Sequence, residues 1–129
     1  MPQVKIHGLR RAIEPIRQTL SDTIHSCIVE HFKIPATKRF HRFILLEKED
    51  FIYPASRSEY YLIIEILMME GRSEATKKEL IKSLFANIAE QVGIANEDVE
   101  VLLLESPASH WGFRGKTGDE IKLNYSVEV

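Results

Sequence analysis

Tyr60–Ser73 reads YYLIIEILMMEGRS, a long apolar run with a single charge that leads into a turn and a helix start. The apolar part, Tyr60–Met69, is roughly half as long as a membrane span, so it predicts a buried strand. Ser73 is a good N-cap for a following helix, because its hydroxyl can accept from a free backbone N–H. The segment therefore predicts a strand, a turn and a helix in succession.

The same pattern occurs 60 positions earlier in the chain. Fixed-period self-similarity of this kind indicates a repeated structural unit. The two units span about 2–47 and 60–105, with the polar linker Lys48–Glu59 between them and a tail at 106–129. We expect all of 1–129 to form one domain. Apolar residues recur 60 positions apart in the pairs Val4 and Ile64, Ile6 and Ile66, Leu20 and Leu80, Ile24 and Leu84, and Ile28 and Ile88.

Each unit reads strand, helix, strand. The predicted strands are Gln3–His7, His41–Glu47, Tyr60–Met69 and Val99–Glu105, and apolar residues at helical spacing lie between the members of each pair. Pro15 is expected in the first turn of the first helix, and Gly93 is expected to end the second helix. A strand, a helix and a parallel strand cross over with right-handed connectivity. The sequence predicts an α/β fold with one four-stranded sheet, both helices on one face, and a C-terminal hairpin or short strand.

That fold leaves the second face of the sheet uncovered and partly apolar, which predicts a neighbouring subunit. The chain has 17 basic and 19 acidic residues and a net charge of −2, which argues against a nucleic-acid partner. No apolar stretch is long enough for a membrane span, and the start has no apolar core of a signal peptide. With Cys27 the single cysteine, no intrachain disulfide is possible, and a reducing cytoplasm is the expected location.

Three features could carry chemistry. Removal of Met1 would leave Pro2 with a free secondary amine, and a pocket that lowers the pKa of this amine would make it a base at neutral pH. Arg72 precedes the second helix, where a guanidinium and free N–H groups suit a carboxylate. Trp111 and Phe113 alternate with glycines beside Arg114 and could wall an apolar pocket. Each feature also has a plain structural interpretation: an ordinary chain start, a solvated arginine, and an anchor for the tail.

Taken together, these features resemble the tautomerase superfamily, in particular its fused-repeat members related to malonate semialdehyde decarboxylase. The resemblance rests on Pro2 at the first strand, the repeat, Glu70-Gly71-Arg72-Ser73, and Trp111-Gly112-Phe113-Arg114-Gly115. It implies a homotrimer whose catalytic group is the amino-terminal proline. It also implies that Arg72 takes the second arginine position of the decarboxylase's Arg-x-Arg pair, and that Trp111 and Phe113 form the aromatic wall.

Two positions depart from that decarboxylase. Glu70 stands where the first arginine of its pair lies, and Lys38 stands near its assisting aspartate. These changes count against decarboxylation, and Lys38 and Arg39 become candidates for holding a substrate carboxylate.

The leading hypothesis is therefore a tautomerase that acts on a small 2-oxo or enol carboxylate without a metal or organic cofactor. The alternatives are a decarboxylase or hydratase of a three-carbon oxo acid, and a non-catalytic oligomeric ligand-binding protein.

Overall fold

The chain folds as two β-α-β units that share one sheet. The computed structural model describes residues 2–129, and the predicted removal of Met1 concerns a residue outside that range. In the first unit, β1 (Gln3–Leu9) leads through the short α1 (Arg10–Ile13) to α2 (Arg17–Phe32) and β2 (His41–Leu46). In the second unit, β3 (Leu62–Met69) leads to α3 (Glu74–Asn87) and β4 (Val99–Ser106). The tail forms a hairpin from β5 (Gly112–Phe113) and β6 (Lys116–Thr117).

The four long strands lie in the order β2-β1-β3-β4. Each unit pairs its own two strands in parallel, as a helical crossover requires. The units join through an antiparallel ladder between β1 and β3, in which Ile6 lies opposite Ile64. This topology confirms the predicted α/β fold with two β-α-β units, one four-stranded sheet and a C-terminal hairpin.

One face of the sheet packs against the helices and forms the core. Ile6, Ile64 and Ile66 on the strands and Leu20 and Leu84 on the helices are all fully buried. The opposite face carries apolar residues in contact with solvent, and Leu102 and Leu104 on β4 are 49% and 39% exposed. Because side chains alternate between the two faces along each strand, one face is buried under the helices and the other is exposed and partly apolar.

The predicted helix boundaries are confirmed in the second unit and shifted in the first. The Ser73 hydroxyl accepts from the N–H of Thr76, and Gly93 ends the helical region in the left-handed conformation with φ +79°. The first helical segment begins earlier than predicted, at Arg10, and Pro15 lies in a 3₁₀ turn between α1 and α2. Proline has no N–H to donate to the preceding turn, so a regular α-helix does not run through this position.

The end of the tail keeps a strand-like alternation without strand pairing. Half-buried Ile121, Leu123, Tyr125 and Val127 alternate with exposed residues, as their spacing predicts. Within residues 2–129 these residues pair with no other strand. Val127 lies against Gly71 at the end of β3, while Leu123 and Tyr125 border a cavity together with Lys38 of the first unit. No helix within the described range is both long enough and apolar enough to cross a membrane.

Gly118 holds the hairpin close to the end of β3. A Cβ atom at this position would lie 2.8 Å from Cε of Met69, and it would also overlap the carbonyl oxygen of Ala108. The N–H of Gly118 donates to the carbonyl of Trp111 at 2.7 Å, so the same residue fixes the backbone of the tryptophan. The hairpin and the end of β3 can therefore approach each other this closely because Gly118 has no side chain.

We expect Gly118→Ala to lower the free energy of unfolding by about 1–3 kcal/mol, because its methyl group must displace the backbone carbonyl of Ala108. Gly112→Ala is the matched control, since the nearest atom to its added Cβ is a carbonyl oxygen 4.0 Å away. Urea unfolding followed by the fluorescence of Trp111, the single tryptophan, measures both variants. Equal stabilities of the two variants would show that the close approach at Gly118 does not hold the hairpin.

Candidate active site

The residues that the sequence analysis singled out lie near one edge of the sheet, where β1 and β2 begin and β3 and β4 end. In the parallel pair, Val4 of β1 lies opposite His41 of β2, so both strands begin at this edge. The antiparallel ladder pairs Gln3 with Leu67, which brings the end of β3 to the start of β1. Since β4 runs parallel to β3, it ends here too. Residues that precede β1 and β2 and residues that follow β3 and β4 are therefore neighbours.

Pro2 lies directly before β1 and is buried. Lys38 and Arg39 lie just before β2, at the same edge, but their side chains take different directions. Lys38 is half-buried and lines a cavity of about 190 Å³. Arg39 turns towards α2, where its guanidinium donates to the carboxylate of Asp22 at 2.6 Å and holds the pKa of that carboxyl below its usual value. The two candidates therefore border different cavities, since Arg39 lines a separate one together with Arg17 and His41.

Arg72 is the most unusual residue of the edge. It follows β3 directly before the N-cap of α3, and it is only 4% exposed. Its Nε, Nη1 and Nη2 atoms have no hydrogen-bond partner within residues 2–129. The guanidinium lies over the ring of Phe32, 4.2 Å from its centroid. The packing thus holds the side chain in place and leaves all of its donors free.

The electrostatics of Arg72 favour an anionic ligand. Burial lowers the pKa of its guanidinium, while Tyr125 and Glu105 act in the opposite direction. Arginine keeps its charge even so, because its ordinary pKa is far above neutrality. A buried ion without a partner costs several kcal/mol, and a carboxylate can receive two parallel N–H bonds from one guanidinium. The guanidinium is shielded from water and therefore suits a carboxylate ligand, but Arg72 is not among the residues that line the cavity at Lys38.

The tail adds aromatic side chains to this end of the molecule. Trp111 is half-buried, and its indole N–H has no hydrogen-bond partner within the described residues. Phe113 lies in β5 and stacks with Arg114, whose guanidinium carbon lies 5.4 Å from the ring centroid. Phe113 borders a shallow depression of the hairpin and not the cavity that Lys38 lines. Neither of the two predicted wall residues is thus among the residues that line the cavity at Lys38.

The cavity at Lys38 contains residues that the sequence analysis did not select. Lys122 and Tyr125 of the tail line it, together with Arg114, which the sequence analysis had noted beside Phe113. The hydroxyl of Tyr125 is buried and has no hydrogen-bond partner within residues 2–129. The alternation of Ile121, Leu123, Tyr125 and Val127 was a usable signal, because it indicated that Tyr125 faces the body of the protein.

Curated proteins of similar sequence are tautomerases. "Probable tautomerase YusQ" of Bacillus subtilis (strain 168) is 29% identical over 118 residues, which cover 88% of this chain and 93% of that protein. The 2-hydroxymuconate tautomerase of Comamonas testosteroni is 35% identical over 57 residues, which cover 44% of this chain and 90% of that protein. Nearly the whole 2-hydroxymuconate tautomerase thus matches less than half of this chain, as expected for a chain built from two repeated units.

Solved structures share the fold over nearly the whole chain. Malonate semialdehyde decarboxylase superposes with a TM-score of 0.78 at 23% identity, covering 88% of this chain and 92% of that one. A fused 4-OT, described as an asymmetric trimer, superposes with a TM-score of 0.80 at 18% identity, covering 92% and 97%. At these identities the similarity establishes the fold.

Family membership rests on a direct match to a sequence model. The model described as "Tautomerase enzyme" matches residues 38–114, more than half of the chain. The matched range runs from Lys38 through the whole second unit to Arg114 of the hairpin, and so includes Arg72 and Trp111. Together with the two-unit sheet and the similar tautomerases, this match shows that the chain belongs to the tautomerase superfamily.

Proposed function

We propose that the protein is a cofactor-independent keto–enol tautomerase of a small 2-oxo or enol carboxylate. The buried guanidinium of Arg72, with no hydrogen-bond partner within residues 2–129, carries this proposal. In it, Arg72 binds the substrate carboxylate and Pro2, freed by removal of Met1, moves the proton. Trp111 shields the site from water and Lys38 adds positive charge, whereas Arg39 is held by Asp22 and Phe113 borders the hairpin depression. The tautomerases of similar sequence support the reaction class.

The proton transfer needs one group that is both base and acid. In the enol, the hydroxyl proton on C2 passes to the free secondary amine of Pro2, and the C2–C3 π electrons take a proton at C3 from the resulting ammonium. The C2 oxygen becomes the ketone, and the amine returns to its starting state. Burial of Pro2 disfavours its protonated form, as do cations at the same edge of the sheet. Arg72 serves the step by holding the carboxylate so that C3 faces the amine.

The enolate intermediate carries negative charge on the C2 oxygen. Lys38 and Arg114 line the cavity at this edge, and no acidic side chain is among its lining residues. A preorganised positive field in a site with little water stabilises such a charge more strongly than bulk solvent does. This arrangement favours enolisation over an aspartate-assisted decarboxylation, because Lys38 supplies a cation near the position where the related decarboxylase has an acid.

We also propose that the protein is a homotrimer. The open face of the sheet presents Leu102 and Leu104, and Ile52 in the linker between the units is 92% exposed. Apolar side chains on an otherwise ordered surface suit a second copy of the chain. Fused 4-OT structures of the same fold are described as trimers.

Steady-state ketonisation of enol-phenylpyruvate tests the site. We expect Arg72→Ala to lower kcat/KM by roughly 100-fold or more, because the substrate carboxylate loses its charged partner in a buried site. Pro2→Ala keeps an amine but loses the ring that directs it, and we expect kcat to fall at least roughly 10-fold. Arg11→Ala is the matched arginine control, since Arg11 is 67% exposed and lies after β1 at the opposite edge.

Equal rates for wild type, Arg72→Ala and Pro2→Ala would refute the site assignment. An intact mass that includes Met1 in an active enzyme would refute the proline mechanism, because an amide nitrogen has no basicity. Release of carbon dioxide from malonate semialdehyde at a rate above enol ketonisation would favour the decarboxylase alternative.

Sedimentation equilibrium tests the assembly. We expect a particle of three chains of 14.9 kDa each. Leu104→Glu should shift the population to smaller species, because it places a charge on the open apolar face. Glu105→Gln on the same strand is the control that removes a charge instead of adding one. A wild-type monomer at the concentrations used in the kinetic assay would contradict the proposal.

A further inference from the structure

The tail residue Tyr125 has the features of a binding residue. Its hydroxyl is buried without a hydrogen-bond partner within residues 2–129, although its ring packs against the hydrophobic core. A buried hydroxyl without a partner costs about 1–3 kcal/mol, so this arrangement is uncommon unless a ligand supplies the missing bond. Phenylalanine would fill the same apolar space without that cost.

Tyr125 lies within electrostatic reach of Arg72. The positive charge of Arg72 lowers the pKa of the phenol, and burial, which is the larger influence, raises it. The net direction is upward, so the hydroxyl stays neutral and keeps its proton at physiological pH. The hydroxyl of Tyr125 is therefore available as a donor, and the guanidinium nitrogens of Arg72 likewise have no partner within residues 2–129.

The cavity next to Tyr125 is cationic. It has a volume of about 190 Å³, and its lining includes the positive residues Lys38, Arg114 and Lys122 and no acidic residue. Leu123 and Asn124 complete the wall on the tail side. A cavity of this size and charge suits a small carboxylate and excludes a cationic ligand.

The chain segment that carries Tyr125 is fixed at its far end. The main-chain oxygen of Val129 accepts from the hydroxyl of Thr76 at 2.7 Å and from that of Ser73 at 3.1 Å. Two residues nearer to Tyr125, Val127 lies against Gly71, where an added Cβ would be 2.9 Å from its Cγ2. These contacts lie on both sides of Arg72 in the sequence, so they hold Tyr125 in a defined position relative to the guanidinium.

We propose that Tyr125 is a substrate-binding residue whose hydroxyl donates to the carboxylate that Arg72 holds. The inference rests on the proposed function, in which Arg72 is the carboxylate anchor. It adds a second donor from the tail, so a carboxylate oxygen receives one bond from the guanidinium and one from the phenol. It also makes Leu123, Asn124 and Tyr125 of the tail a wall of the substrate site.

The test compares Tyr125→Phe with wild type, using pyruvate as the probe in isothermal titration calorimetry. Loss of one hydrogen bond to a charged group should weaken pyruvate binding by roughly 10- to 100-fold, with a similar fall in kcat/KM for enol-phenylpyruvate. Tyr60→Phe is the matched control, because Tyr60 is 45% exposed and lies in the turn before β3. Tyr60→Phe should melt as wild type does, and Tyr125→Phe should melt at the same temperature or higher, since the phenyl ring keeps the packing and the unpaired hydroxyl is gone.

The outcomes separate the two proposals. If wild type is active, Arg72→Ala is impaired and Tyr125→Phe binds pyruvate as tightly as wild type, the role of Tyr125 is refuted and the proposed function stands. If wild type binds pyruvate, Tyr125→Phe binds it weakly and neither ketonises the enol, the binding role stands and the tautomerase activity is refuted. Absence of both binding and turnover in wild type refutes both.

Discussion

The antiparallel pairing of β1 with β3 is the contact on which the rest of the structure depends. Each β-α-β unit alone would leave both edges of its two-stranded sheet open and its share of the core in contact with water. Pairing Ile6 with Ile64 joins the units into one sheet and buries their helices on a common face. Because the ladder is antiparallel, it also places the end of the second unit beside the start of the first. The candidate active site lies at that edge because its residues come from both units and meet only there.

The two units are alike in structure, but each contributes different residues to the edge where they meet. The edge receives Pro2 from the first unit and Arg72 from the second, while the tail supplies Trp111 and Tyr125. Burying Arg72 without a hydrogen-bond partner within residues 2–129 opposes folding, and its stacking on Phe32 acts in the opposite direction. A stable fold tolerates such a group at a binding site, where a ligand relieves the cost.

Most of the fold could be predicted from the sequence, because it follows from local patterns. The repeat and the strand alternation predicted the four strands, and Ser73 and Gly93 predicted the ends of the second helical region. The hydrogen bond of Arg39 with Asp22, the burial of Arg72 and the position of Tyr125 could not be predicted. They depend on contacts between segments distant in sequence, and a pattern that alternates every two residues shows which side chains face inward but not what they contact.

The central claim is that Arg72 holds a 2-oxo carboxylate next to a free amine of Pro2. Labelling by 2-oxo-3-pentynoate tests it most directly, because this molecule combines a 2-oxo carboxylate with an alkyne to which an amine can add. It is described as inactivating Pt0534, a protein of the same fold. The account predicts one adduct per chain, located on Pro2 by peptide mass spectrometry, and much slower labelling of Arg72→Ala. A label on another residue, or equal labelling rates for the two proteins, would contradict it.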